Sequence, residues 1–119
     1  MNAEQKKKLW EIMSHRDIWK QLEQAVEEAS EFILAAQKVK RFRSQSARWD
    51  DLIEETGDLL IMMEQMRGYL GPELVDRSVG FKLDRELKRI GEGKQNLRIL
   101  VHVKRRFPSV VPHAVQAAG

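Results

Sequence analysis

Two stretches of the chain repeat one arrangement of acidic and apolar residues, and this repeat restricts the fold more than any other feature. Residues 26–32 read VEEASEF and residues 53–59 read IEETGDL, each with adjacent glutamates followed three residues later by another acid. Both lie in long runs of good helix formers, separated by the polar segment RFRSQSA at 41–47. The pattern predicts two antiparallel helices joined by a short connection.

A helical wheel, at about 100° per residue, gives the two stretches the same layout. With Glu28 at zero, an apolar face spans roughly 40° to 160°, Glu31 lies near −60° and Glu27 near −100°. With Glu55 at zero, the apolar face spans the same angles and Asp58 lies near −60°. The predicted buried residues are Leu22, Ala25, Val26, Ala29, Phe32, Ile33 and Ala36 in the first helix, and Leu52, Ile53, Thr56, Leu59, Leu60 and Met63 in the second.

Antiparallel packing of these faces is expected to bring two acids from each helix, Glu28, Glu31, Glu55 and Asp58, to one edge of the bundle. Crowded carboxylates repel one another unless a cation lies among them, and neither short stretch contains Lys or Arg. Mg²⁺ is the natural ion for an all-oxygen site, Mn²⁺ is an alternative, and bound Mg²⁺ commonly shares substrate phosphates. The competing interpretation is that the acids simply form two solvated helix faces.

Capping and breaking residues predict the remaining organisation. The Ser-x-x-Asp pattern at Ser14 predicts the start of a helix that ends near Lys40, and a short helix is expected at 3–13. Ser46 is expected to cap a second long helix ending near Tyr69, and a third is expected from Pro72 to Ile90. The prediction is an all-α antiparallel helical bundle at 1–93, followed by a basic extension at 94–119 of uncertain structure.

Composition narrows the class of protein. The chain has no cysteine, which excludes a disulfide scaffold and thiolate chemistry, and it has no apolar run of the roughly 18 residues that span a bilayer. Its first residues do not resemble a secretory signal, so a cytoplasmic location without membrane association is expected. Residues 94–119 carry five basic residues and no acid. The pI of about 9.3 therefore reflects the tail, and nucleic acid is not an expected partner.

With these motifs in place, the chain resembles the MazG-like all-α NTP pyrophosphatases, especially the small single-domain members of phages and prophages. The family pattern E-E-x-x-E followed by E-x-x-D reads EEASE and EETGD here, and a basic helix follows at FKLDRELKRI. The resemblance covers roughly residues 18–92. It implies Mg²⁺-dependent hydrolysis of a (d)NTP to the monophosphate and pyrophosphate, possible nucleotide-pool housecleaning, and assembly as a homodimer or homotetramer with a shared site.

Carried over by motif position, the resemblance implies specific roles. Glu28, Glu31, Glu55 and Asp58 would bind the metal, and one of these acids or Glu27 would activate water. Small members often have Ala where this chain has Gly57, a minor departure.

Basic residues are the candidates for binding the triphosphate. Lys82 and Arg85 match the basic positions of the family's third helix, with salt bridges as the alternative. Lys38 and Arg41, beside the connection between the acidic helices, are candidates from charge alone. The alternative for that pair is that a cationic helix end complements its own dipole.

Two other functions are consistent with the sequence. A non-catalytic helical module that binds a nucleotide or a protein would show ligand-induced stabilisation without turnover. A DNA-associated protein would act through the basic tail and show salt-sensitive binding that is lost when residues 94–119 are deleted.

Overall fold

The computed structural model describes residues 1–93, which form the helices α1 (Ala3–Ser14), α2 (Ile18–Arg41), α3 (Ser46–Leu70) and α4 (Pro72–Gly93). No strand occurs in that range, so the predicted all-α class is confirmed. The predicted basic extension at 94–119 lies outside the described residues. The chain divides within α4 into two units, and the first, Met1–Val75, contains α1 to α3. No helix among residues 1–93 combines the length and hydropathy needed to span a bilayer.

The start of α2 differs from the predicted one. Ser14 is the last residue of α1, and its hydroxyl donates to the Glu11 carbonyl oxygen at 2.6 Å. Asp17 is the N-cap of α2, where its carboxylate accepts a hydrogen bond from the Trp19 backbone N–H at 2.7 Å. The predicted capping box beginning at Ser14 is therefore wrong, because a serine hydroxyl inside a helix bonds back to its own preceding turn.

The other helix ends show where local signals hold. A reciprocal capping box forms at the start of α1, between Asn2 and Gln5, with hydrogen bonds of 2.9 and 2.8 Å. Ser46 is the first residue of α3 and does not cap it; Gln45 is the N-cap and makes no side-chain capping bond. Gly71 ends α3 with φ of 107°, in the left-handed region where glycine is favoured. Helix α4 continues past the predicted end at Ile90 to Gly93.

Helices α2 and α3 form the antiparallel hairpin that the sequence predicts. The side chain of Gln21 bonds to that of Gln65 near one end of the hairpin, and Phe42 lies in the connection at the other end. The core between them contains the buried residues Ala25, Met62 and Met66, with Tyr69 packed against it. Burial of these side chains is the main force that holds the hairpin together.

Helix α1 packs against α3 through Leu9 and Met13, both of which are buried. Gly68 permits this approach, because a Cβ at that position would lie 2.8 Å from the Met13 Cε atom. Gly57 does not have this role, since a Cβ there would have no neighbour within 4 Å.

The predicted buried faces of α2 and α3 are partly wrong. Ala25 is buried, but Val26 is 63% exposed and Ile33 is 58% exposed. The exposed members of the predicted faces are Leu22, Val26, Ile33, Ile53, Leu60 and Met63. The helices instead pack along a line through Glu28 that includes the small residues Ala25 and Ala35, which allow a close approach. The two carboxylate-bearing turns therefore face one another, while one side of each helix stays uncovered.

Candidate metal centre

Three of the predicted acids converge between α2 and α3. Glu28 and Glu31 are one turn apart on α2, and Glu55 faces them from α3. One carboxylate oxygen from each lies within 4.8 Å of the others. Glu28 and Glu55 are half-buried, whereas Glu31 is exposed at the rim of the group. The hairpin thus assembles three oxygen donors around one point, and we call Glu28, Glu31 and Glu55 the carboxylate cluster.

Two oxygens of the carboxylate cluster have unmet hydrogen-bonding capacity. Within residues 1–93, Glu28 Oε2 and Glu55 Oε2 are shielded from solvent and accept no hydrogen bond. The other Glu28 oxygen accepts one from Gln24 Nε2 at 3.0 Å. A shielded polar atom without a partner costs roughly 1–3 kcal/mol, and more when it is charged. A cation between the helices would satisfy both oxygens at once.

Proton affinity in the carboxylate cluster is also altered. The negative charge of Glu28, followed by that of Glu55 and then by partial desolvation, raises the pKa of Glu31 above its ordinary value of 4.5. The cluster therefore favours a bound positive charge, either a proton on Glu31 or a metal ion.

The spacing of the three carboxylates suits a divalent ion. Two oxygens that each lie 2.0–2.1 Å from Mg²⁺ are at most about 4.2 Å apart. The three oxygens all lie within 4.8 Å of one another, so small rotamer changes would bring them to distances that one ion can bridge. Glu28, Glu31 and Glu55 are thus the residues that would hold the ion, with water or substrate oxygens completing its coordination.

Two predicted site acids lie outside the carboxylate cluster. Asp58 is exposed on α3 and lines a neighbouring cavity together with Glu28. Glu27 is exposed on α2, as the wheel predicts. Their assigned roles, metal binding for Asp58 and water activation for Glu27, remain predictions.

No protein-family model matches the chain, and no curated protein sequence or solved structure is significantly similar to it.

Two of the predicted phosphate-binding cations, Lys38 and Arg41, lie on α2 beyond the carboxylate cluster, and their role in substrate binding remains a prediction. Lys38 and Arg41 lie seven and ten residues beyond Glu31, about 10 and 15 Å along the helix axis. The Arg41 guanidinium instead lies 5.3 Å from the centroid of the Phe42 ring. It therefore contributes to a cation–π contact at the end of α2.

Lys82 and Arg85 are exposed on α4, in the second unit of the chain. They share one helix face at i, i+3 spacing. Their role in substrate binding remains a prediction.

The cavity beside the carboxylate cluster contains polar residues that the sequence interpretation missed. Gln21, Gln24 and Gln65 line it, as does Arg16 from the turn before α2. A signal was available, because Gln21 lies seven residues before Glu28 and Gln65 lies seven residues after Asp58. Seven residues are close to two helical turns, so each glutamine shares a face with an acid.

Proposed function

We propose that the protein is a Mg²⁺-dependent nucleoside triphosphate pyrophosphohydrolase, related to the MazG-like family. The observation that carries the proposal is the carboxylate cluster, with its two shielded and unpartnered oxygens. Three carboxylates held around one point suit a hard divalent cation, and such an ion in proteins is commonly completed by substrate phosphates. The sequence resemblance supplies the reaction: a (d)NTP and water give the (d)NMP and pyrophosphate. Such a reaction would place the protein in the cytoplasm, where its substrates are made and used.

The residues have distinct roles in this proposal. Mg²⁺, when bound, neutralises phosphate charge and polarises the anhydride. Glu28, Glu31 and Glu55 would hold the ion, and Asp58, which lines the cavity beside Glu28, would supply a fourth carboxylate. Water adds to phosphorus as the bond between the α- and β-phosphates breaks, and its proton passes to a nearby carboxylate. Glu27 or an unliganded acid of the site is the candidate to receive that proton.

A second copy of the chain is the proposed partner. The exposed apolar residues of α2 and α3, including Val26, Ile33 and Leu60, lie on the same rotational side of the acids on their respective helices. Because the two helices are antiparallel, these exposed apolar residues of α2 and α3 lie on the same side of the hairpin. We call this side the apolar face. A two-fold axis would place this face against itself, as homodimer interfaces require. The proposed assembly is a homodimer, or a homotetramer built from two such dimers.

The decisive test of function is incubation of the protein and Mg²⁺ with a panel of ribonucleoside and deoxyribonucleoside triphosphates. The products are separated by ion-exchange chromatography. The proposal predicts equal amounts of monophosphate and pyrophosphate, and loss of at least about a hundredfold in rate in Glu28→Gln and Asp58→Ala. Glu54→Gln is the matched control, because Glu54 is exposed on the same helix outside the carboxylate cluster. Release of orthophosphate, or turnover that survives both site substitutions, would reject the assignment.

A non-catalytic nucleotide-binding role is the second candidate, favoured by the cavity that adjoins the carboxylate cluster. It predicts that nucleotides with Mg²⁺ raise the melting temperature of the protein without any product accumulating.

A further inference from the structure

A cavity of about 290 Å³ adjoins the carboxylate cluster and shares Glu28 with it. Its described lining residues are Ile12, Arg16, Gln21, Gln24, Glu28, Asp58, Ile61, Met62 and Gln65. All of them belong to the unit Met1–Val75. The volume is close to the lower end of the range for small-molecule sites, about 300–1,000 Å³. A group attached to a phosphate at the cluster would have this cavity directly beside it.

Two buried amides contribute to the polar part of the cavity. Gln65 is 2% exposed and Gln21 is 8% exposed. Gln21 Nε2 donates to Gln65 Oε1 at 2.7 Å, whereas Gln65 Nε2 donates to the Met62 sulfur at 3.7 Å. A thioether is a weak acceptor, so the Gln65 amide is well paired through its oxygen and poorly paired through its nitrogen. A ligand oxygen or ring nitrogen would be a better partner.

The rest of the lining has a charged part, from Arg16, Glu28 and Asp58, and an apolar part. Ile12, Ile61 and Met62 contribute hydrocarbon and thioether surface. The apolar part, next to the buried amides, suits a flat, uncharged ring that has hydrogen-bonding atoms on its edge, and the acids lie on the side of the carboxylate cluster. Because the Gln65 oxygen already accepts from Gln21, the Gln65 amide nitrogen is the group left to donate to an acceptor on the edge of a nucleobase.

We infer that this cavity is the recognition subsite for the nucleobase of the triphosphate, and that Gln65, positioned by Gln21, determines which bases are accepted. The inference rests on the proposed function, which places the phosphates at the carboxylate cluster. A purely structural role is a poorer explanation of the pair, because two apolar residues of similar size would fill a helix interface equally well.

The test compares the binding of non-hydrolysable α,β-imido triphosphates of adenine, guanine, cytosine and uracil, with Mg²⁺, by isothermal titration calorimetry. Inorganic tripolyphosphate is the probe for the phosphate site alone. We expect the wild-type dissociation constants to span at least about tenfold among bases, because unpaired buried polar groups penalise the wrong edge. In Gln21→Leu/Gln65→Leu that span should fall to about threefold, with tripolyphosphate binding unchanged.

The double substitution removes both partners together, so it leaves no orphaned amide and is expected to fold. Gln37→Leu, at an exposed position of α2, is the matched control and should keep the wild-type span. Ile61→Trp is an independent second variant at an exposed wall position, and it should weaken every nucleotide at least about tenfold by filling the cavity, without affecting tripolyphosphate.

The outcomes separate the two proposals. An unchanged base ranking and span in the double variant, or equal affinity of the wild type for tripolyphosphate and all nucleotides, overturns the subsite but leaves the hydrolase proposal intact. Failure of the wild type to bind any triphosphate while it binds Mn²⁺ overturns both.

Discussion

Replacing Glu55 by glutamine should stabilise the metal-free protein, which is an unusual result for a half-buried residue. Glu28 and Glu55 present carboxylate oxygens within 4.8 Å of one another, and each has an oxygen that is shielded and unpartnered. Two like charges at that distance repel by about 3.5 kcal/mol at an effective dielectric constant of about 20. Both side chains are partly exposed, so solvent screening reduces the expected gain to about 1–2 kcal/mol.

The assay is thermal unfolding followed by circular dichroism, with EDTA and then with a tenfold excess of Mg²⁺ over its dissociation constant. A gain of 1 kcal/mol corresponds to a rise in melting temperature of about 4–8 °C for a domain of this size. Mg²⁺ should stabilise the wild type by about 1.4 kcal/mol and leave Glu55→Gln almost unchanged. The substitution thus removes the repulsion and the metal response together.

Glu54→Gln is the control for the loss of one negative charge from the same turn of α3. Glu54 is exposed and lies outside the carboxylate cluster, so its substitution should change stability by less than about 0.5 kcal/mol and preserve the Mg²⁺ response. Destabilisation of the metal-free protein by Glu55→Gln, or a full Mg²⁺-dependent rise in that variant, would refute the inferred repulsion and the metal site.

Each of four further predictions rests on a single feature. Because the folded-state pKa of Glu31 lies above 4.5, metal-free stability should fall as the pH rises through the interval just above that value, and Glu31→Gln should flatten the dependence in urea titrations. Gly57→Ala should raise the free energy of unfolding by about 0.5–1 kcal/mol, because a Cβ there meets nothing; a loss would indicate a close neighbour. Asp17→Ala should cost about 1 kcal/mol through loss of the α2 cap, whereas Ser14→Ala should cost less than half of that. Val26→Asp should dissociate the proposed dimer in sedimentation experiments, while Lys20→Asp, also exposed on α2, should not.

Helical periodicity predicted the parts of the fold that depend on local sequence. The four helices lie within a few residues of their predicted positions, and the stop at Gly71 follows from a conformation that glycine adopts more readily than other residues. Caps were harder to predict, because Ser14 and Asp17 are both good capping residues and only their hydrogen bonds distinguish them. Local sequence does not decide which of two nearby candidate N-cap residues is used.

The rotation of α2 and α3 about their axes was not predictable from hydrophobicity alone. A wheel assigns the interior to the most apolar side, which includes Val26 and Ile33. The pairing instead follows the side that bears Ala25 and Ala35, and it brings Glu28 opposite Glu55. The exposed apolar face is explained if another subunit packs on it, because its residues are then buried between subunits and need not be buried within one chain.

The acids of the carboxylate cluster were identifiable from spacing, but their surroundings were not. Repetition of the motif selected Glu28, Glu31, Glu55 and Asp58, and the structure brings the first three together. The buried amides of Gln21 and Gln65 were overlooked, since glutamine in a helix is ordinarily a surface residue and only the tertiary contact shows its burial. Each of these glutamines lies seven residues from an acid, and that spacing could have indicated that it shares a helix face with the acid.

The most direct test of the account is the number of Mn²⁺ ions bound per chain, measured by electron paramagnetic resonance in the wild type and in two matched double variants. Glu28→Gln/Glu55→Gln removes two members of the carboxylate cluster, while Glu23→Gln/Glu54→Gln removes the same charge from exposed positions on the same helices. At least one tightly bound ion per chain is expected in the wild type and in the second variant, and none in the first. Equal binding by both variants would contradict it.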